Sequence, residues 1–228
     1  MMFTIINCNA RSLSPKLVSL ADYISETDCM IGIVTETWLE GGKGEEIRET
    51  LQEGHGLGII TRDREEPAAN GVFYGGVAVV WRENTCTLRK NDCDNPDKFE
   101  VLVTAGTLKG HKRKLVVLAC YLPPGYSKNR GDEALSYING VIVGLKQKYT
   151  DPYLVVAGDF NQWDIGEALL DFPDLKEAPV GPTRQDLSID KIYTNLSRSI
   201  DEAGTLSPLE RRTARKKVII VLLFAGPR

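Results

Sequence analysis

The chain carries a series of short β-branched and apolar runs that stop abruptly at polar clusters, and this pattern constrains its fold more than any other feature. The first run, Phe3-Thr4-Ile5-Ile6-Asn7-Cys8-Asn9, alternates poorly and so reads as a strand buried on both faces. Ser14-Pro15 follows as a helix start, with Leu17, Leu20, Ala21 and Ile24 at helical spacing. A second apolar strand, Met30-Ile31-Gly32-Ile33-Val34, ends in Thr35-Glu36-Thr37-Trp38, so the chain opens in a βαβ-like manner. Four further β-rich runs occupy the middle: 75–82, 86–89, 99–108 and 115–121, with Lys109-Gly110-His111-Lys112 as a hairpin loop. A helix is predicted over 132–149, with Leu135, Ile138, Ile142, Leu145 and Tyr149 on one stripe. The buried strand Tyr153–Ala157 then runs into Gly158-Asp159-Phe160-Asn161-Gln162-Trp163 and a short helix near 166–171. Strands dominate and helices intervene at a few places, an order that two packed β-sheets with helices on their outer faces accommodate, each half contributing to one core. Residues 65–70 are the expected mobile loop.

Composition excludes several classes. With 42% apolar and 26% charged residues the chain is no disordered segment. The apolar run Val218–Ala225 is far too short for a membrane helix, so no membrane partner is expected, and no signal peptide is visible. The five cysteines lack zinc-finger spacing and do not suggest a disulfide framework; the reading is of an intracellular protein. A net charge of −3 advertises no broadly basic surface, although a local patch suffices to steer a polyanion.

The chemistry is expected where polar residues follow the strands. Asn7 and Asn9, two apart, point the same way from one strand, and Asp159 and Asn161 repeat the spacing after another. Mg²⁺ takes oxygen ligands, keeps several waters and needs only one or two carboxylates, a requirement that Glu36 with Asn9 meets. Asn7 and Asn161 can orient a phosphate without adding charge, Asp159 can accept a proton from an attacking water, and Tyr121 can donate to a phosphate oxygen. Other motifs fail. Gly54-His55-Gly56-Leu57-Gly58 has neither the P-loop lysine nor dinucleotide spacing, no nucleophile elbow exists, and His55 and His111 fall in polar stretches that read as solvated loops.

Asn7-Cys-Asn-Ala-Arg-Ser12, Val34-Thr-Glu-Thr-Trp38, Cys120-Tyr-Leu-Pro-Pro124, Ala157-Gly-Asp-Phe-Asn-Gln-Trp163 and Ser188-Ile-Asp-Lys-Ile192 occur in an order and spacing that resemble the endonuclease/exonuclease/phosphatase superfamily. They are most similar to the apurinic-like endonuclease domain of LINE-type non-LTR retrotransposon polyproteins. The resemblance implies an α/β (α+β) four-layer sandwich, two packed, mainly antiparallel β-sheets flanked by helices, and a phosphodiesterase that nicks DNA by direct attack of water, with Mg²⁺ (Mn²⁺ as the alternative) as cofactor. It implies DNA as partner, with the reverse transcriptase region of a parent polyprotein where the protein is full length, a monomeric state and a nuclear location. It further implies that Asn7 contacts phosphate, that Asn9 lies at the edge of a metal site whose principal carboxylate is Glu36, and that Tyr121 stabilises phosphate. Asp159 becomes the water-activating acid with Asn161 as its partner, Thr183 a substrate-contacting residue, and Asp190 the aspartate that orients a catalytic histidine.

That histidine is missing. Relatives end in Ser-Asp-His, whereas here residues 208–228 form an atypical tail after a domain spanning 1–207, and no histidine follows His111. Codon degeneracy lets Lys217-Val218-Ile219-Ile220 spell Ser-Asp-His in the shifted frame, so the tail is read as a frameshift between about Leu209 and Lys216, with a true last β-strand as the competing reading. Impaired nicking is expected. The alternatives are a related phosphodiesterase acting on abasic DNA, a lipid or a small molecule, and a non-catalytic retroelement relic.

Overall fold

The computed structural model describes residues 2–39, 44–51, 53–61, 74–91, 99–179, 188–196, 202–206 and 219–225. The expected mobile loop at 65–70 lies outside them. Twelve strands form two six-stranded sheets among the described residues. The first sheet contains β1 (Met2–Asn9), β2 (Ile31–Thr35), β3 (His55–Ile60), β4 (Val77–Arg82), β11 (Glu202–Leu206) and β12 (Ile219–Ala225), in the order β11-β12-β1-β2-β4-β3. The second contains β5 (Cys86–Lys90), β6 (Glu100–Leu108), β7 (Lys114–Tyr121), β8 (Tyr153–Asp159), β9 (Lys176–Glu177) and β10 (Asp190–Thr194), in the order β5-β6-β7-β8-β10-β9. Each sheet has a single parallel pair, β1 with β2 and β7 with β8, and is otherwise antiparallel. The mainly antiparallel sandwich read from the sequence is the observed one.

Side-chain alternation divides each strand between two apolar layers, which explains why the runs looked apolar throughout. Phe3, Ile5, Ile31, Ile33, Val77 and Val79 of the first sheet meet Leu102, Leu115, Val117, Val155, Ala157 and Ile192 of the second between the sheets. On the outer face of the first sheet Ile6, Cys8, Val34, Ala78 and Val80 pack under α1 (Leu17–Glu26) and α2 (Gly44–Thr50). On the outer face of the second, Val116, Leu118, Leu154 and Val156 pack under α3 (Lys128–Lys148) and α4 (Ile165–Ala168). The layers run helix, sheet, sheet, helix.

Several elements differ from the sequence reading. α3 begins earlier than predicted because Ser127 caps it, its hydroxyl accepting from Arg130 N at 3.3 Å. The Ser14-Pro15 start is a 3₁₀ turn over Ser14–Lys16 that leads into α1. The Gly-His-Gly-Leu-Gly stretch is an edge strand, β3, with Gly56 lying opposite Trp81. His55 therefore stands in a strand, and His111 packs edge-on against Phe3 and Tyr153 instead of lying in solvent. Within the tail, Ile219–Ala225 form a strand of the sheet, running antiparallel to both β1 and β11. Cys8, Cys29, Cys86 and Cys120 are buried and joined in no disulfide, and burial pushes Cys29 and Cys86 up to about 12, leaving them without thiolate reactivity.

Candidate active site

The site is built where the inter-sheet layer turns polar. Along β1 the inward positions read Phe3, Ile5, Asn7, Asn9, so the last two turns of the pleat place amides where the apolar contacts end. The second sheet does the same with acids. Glu100, Tyr121, Asp159 and Asp190 are directly opposed across β6, β7, β8 and β10, a continuous row at one end of the sheet. Opposed residues share a face, and all four side chains are buried.

Asn9 joins the sheets. Its Nδ2 donates to Glu36 Oε1 and to Asp159 Oδ2, each at 2.7 Å, so the two carboxylates are no further apart than twice that distance. Asn7, fully buried, donates from Nδ2 to Gly158 O at 3.0 Å and leaves its Oδ1 without a hydrogen-bond partner. Gly158 has φ +153, and a Cβ there would lie 1.8 Å from Cys120 O, so only glycine lets β7 and β8 approach this closely just before Asp159. Asp159 Oδ1 accepts Asn161 N at 3.0 Å. The Asn161 side chain points elsewhere, donating to Leu122 O at 2.9 Å, and Gln162 and Trp163 donate likewise to Pro124 O and Pro123 O. Three consecutive side chains thus tie the segment after Tyr121 to the segment after Asp159.

Glu36 sits in the left-handed region at φ +51, as do Arg11, Ser12, Trp38 and Asn161. Such a cluster persists only where surrounding contacts enforce it. Here Ser12 N donates to Glu36 O and Leu13 N to Thr37 O at 3.0 and 2.9 Å. The segment behind them is held by Lys16, itself buried, whose ammonium donates to the carbonyls of Ala10, Arg11 and Ser12 at 2.5, 2.9 and 3.2 Å.

Electrostatics follow from this enclosure. Burial raises Asp159 to about 6; the Glu36 charge adds to the rise, while the bonds from Asn9 and Asn161 N and the charge of Arg11 oppose it. Burial, then the charges of Glu36, Asp159 and Glu100, push the Tyr121 phenol well above its ordinary range, so it remains a donor at all working pH values.

Of the residues singled out in the sequence, Asn7, Asn9, Glu36, Tyr121, Asp159 and Asp190 gather at this end. Asn161 contributes its backbone, and Thr183 lies outside the described residues. Both histidines stand at the opposite end of the sheets, His55 across from Arg82 and His111 on the β6–β7 hairpin, so no imidazole flanks Asp190. Sequence reasoning missed Glu100 and Lys16. An acid opening a β-rich run becomes visible only once pairing sets it opposite Tyr121, and a lysine in a Ser-Pro-Lys turn looks solvated until three carbonyls are found around it.

No three His, Cys, Asp or Glu side chains form a metal cage among the described residues. The donor set nevertheless suits a hard divalent cation. Two carboxylates converge on one neutral amide, with oxygen donors from Glu36 and Asp159 and, among the described residues, no cationic side chain bonded to either.

The fold recurs in solved structures. The endonuclease domain of TRAS1, a telomere-specific non-LTR retrotransposon, superposes with a TM-score of 0.69 at 13% identity over 100% of both chains. The AP endonuclease LMAP from Leishmania major gives 0.72 at 11% identity, covering 99% of this chain and 88% of that one. The human Nocturnin catalytic domain gives 0.66 at 14%, covering 99% and 94%. No curated protein matches the sequence. The Endonuclease/Exonuclease/phosphatase family, by contrast, matches residues 5–212, nearly the whole chain and every residue of the polar cluster. The chain therefore belongs to the Endonuclease/Exonuclease/phosphatase family.

Proposed function

We propose that this protein is a Mg²⁺-dependent endonuclease of the retrotransposon type that nicks DNA phosphodiesters, with Mn²⁺ able to substitute. The observation that carries this reading is the junction at Asn9, where one amide meets the Glu36 and Asp159 carboxylates from two sheets. Glu36, with Asn9 at its edge, would hold the cation, which when bound supplies charge neutralisation at the scissile phosphate. Asp159 takes the proton of the attacking water; a carboxyl titrating near 6 is ionised at neutral pH yet basic enough to accept it. Tyr121 and the second N–H of the Asn7 amide donate to phosphate oxygens as charge develops. Asn161 fixes Asp159 through its backbone N–H, Asp190 closes the row beside Asp159, and Thr183 is assigned to substrate contact. The partners are DNA and, in a full-length polyprotein, its reverse transcriptase region; the protein acts as a monomer in the nucleus. Among the described residues no helix is long and apolar enough to cross a membrane.

Without an imidazole by Asp190, turnover should fall about 10²–10³-fold below that of an intact relative, the usual cost of one positioned donor. A nicking assay on supercoiled plasmid with Mg²⁺ tests the reading. Slow nicking abolished by Asp159→Asn supports it. Cleavage confined to abasic sites or to non-DNA phosphoesters points to a related phosphodiesterase, and DNA binding without cleavage to a non-catalytic relic.

A further inference from the structure

Glu100 opens β6 on the second sheet, yet its carboxylate serves the first. Its Oε2 accepts Gly76 N–H at 2.7 Å, immediately ahead of β4. A carboxylate this buried is costly unless hydrogen-bonded, and a charge-assisted bond to a backbone amide is among the stronger kinds. Gly75 and Gly76 lie at φ +96 and +87; a Cβ on Gly75 would come within 2.6 Å of the Glu100 carboxylate, and one on Gly76 within 2.3 Å of Thr37 Oγ1. The glycine pair is therefore shaped around these two side chains. The same pair turns its carbonyls to the segment that follows Glu36: Thr37 N donates to Gly76 O at 3.3 Å and Trp38 N to Gly75 O at 2.8 Å. Glu36 is thus gripped from both sides, by the Ala10–Leu13 segment on one and by the glycine turn on the other. The second grip reaches across to the other sheet through Glu100.

We infer that Glu100 is a positioning residue: by anchoring the Gly75–Gly76 turn it fixes the left-handed Glu36 segment where Asn9 and Asp159 converge. The inference rests on the reading that Glu36 is the principal metal carboxylate, but its structural half stands apart from that reading. Glu100 acts at one remove from the chemistry, through its bond from Gly76 N–H and the two bonds that the turn's carbonyls accept from Thr37 and Trp38 N–H.

The test uses the 228-residue protein with Glu100→Leu, Glu100→Asp and Glu100→Gln. Gln keeps an acceptor at the same reach, Asp keeps the charge but is one methylene short, and Leu keeps neither. Amide exchange followed by NMR in the metal-free protein should accelerate about tenfold or more at Gly76, Thr37 and Trp38 in the Leu and Asp variants, with Val116–Leu118 unchanged and Gln close to wild type. Mn²⁺ binding, counted from the free-ion EPR signal, should weaken by about tenfold in Leu and Asp and by less than about threefold in Gln. Unchanged exchange at Thr37 and Trp38 in the Asp variant overturns the inference, as does Mn²⁺ affinity unaltered despite faster exchange. Should wild type bind no Mn²⁺, the metal reading fails while the exchange pattern still decides whether Glu100 holds the Glu36 segment. Should Leu not fold, Asp and Gln carry the comparison alone.

Discussion

Asp159 concentrates the consequences that belong to single residues. Its pKa of about 6 exceeds the ordinary 3.8, so the folded chain favours the protonated acid. A group shifted upward adds stability that is fully present below the unfolded value and is lost as pH rises through the folded one. The metal-free protein should therefore lose stability between about pH 4 and pH 6, and Asp159→Asn should flatten that slope; urea unfolding across the interval measures it. The same substitution should cost about 10²–10⁴ in nicking rate. Tyr121→Phe removes a donor without opening a cavity, and the expected loss is about 10²–10³ in kcat with little change in Tm. These residues were legible in the sequence because each follows an apolar run, where a polar side chain has no apolar reason to be. Glu100 was not. It precedes its run, and only the row Glu100, Tyr121, Asp159, Asp190, which exists through pairing across four strands, shows what it faces.

At the scale of elements, the connections that position the site are held by side chains reaching into backbone. Lys16→Met would free the carbonyls of Ala10, Arg11 and Ser12 and should destabilise the fold by about 2–4 kcal/mol, since each abandoned bond to a charged donor contributes about 1.5–3 kcal/mol and solvent recovers part of it. Equilibrium unfolding reads that loss, and a change below about 0.5 kcal/mol would show the clamp to be incidental. On the other sheet, Gly131 of α3 lies under Trp163, and a Cβ there would fall 2.1 Å from the indole ring. Gly131→Ala should displace Trp163 and loosen its bond to Pro123 O, costing about 1–3 kcal/mol with a visible change in near-UV circular dichroism. The predicted strands through Tyr121 were read because they are apolar or β-branched runs bounded by polar or glycine-containing turns, and the stripe of α3 because it repeats over many helical turns. β3, β9, α2 and β11 went unread: they are short or glycine-rich, and their pairing with distant strands, not their own pattern, makes them elements.

For the whole molecule, the tail poses the sharpest question. Residues 219–225 complete a sheet, whatever coding history produced them. The frameshift remains a proposal about the gene, and reading the nucleotides decides it: AAA for Lys217, GTG for Val218 and ATC for Ile219 are required, and restoring the frame should return histidine and nicking together. Any other codon at one of the three ends the idea. The arrangement of strands along the chain has another consequence. The second sheet, β5 to β10, is drawn from one continuous stretch, whereas the first is assembled from both ends, with Met2 paired to Ala225. Contacts so distant in sequence form late, because loop closure must precede any gain from pairing. On a ribosome, β1 emerges early and waits with one edge open until the last strand arrives to fill it. Nascent chains arrested shortly after Thr194 should already protect the second sheet from proteolysis while β1 stays cleavable, and protection of β1 should appear only when β12 has cleared the exit tunnel.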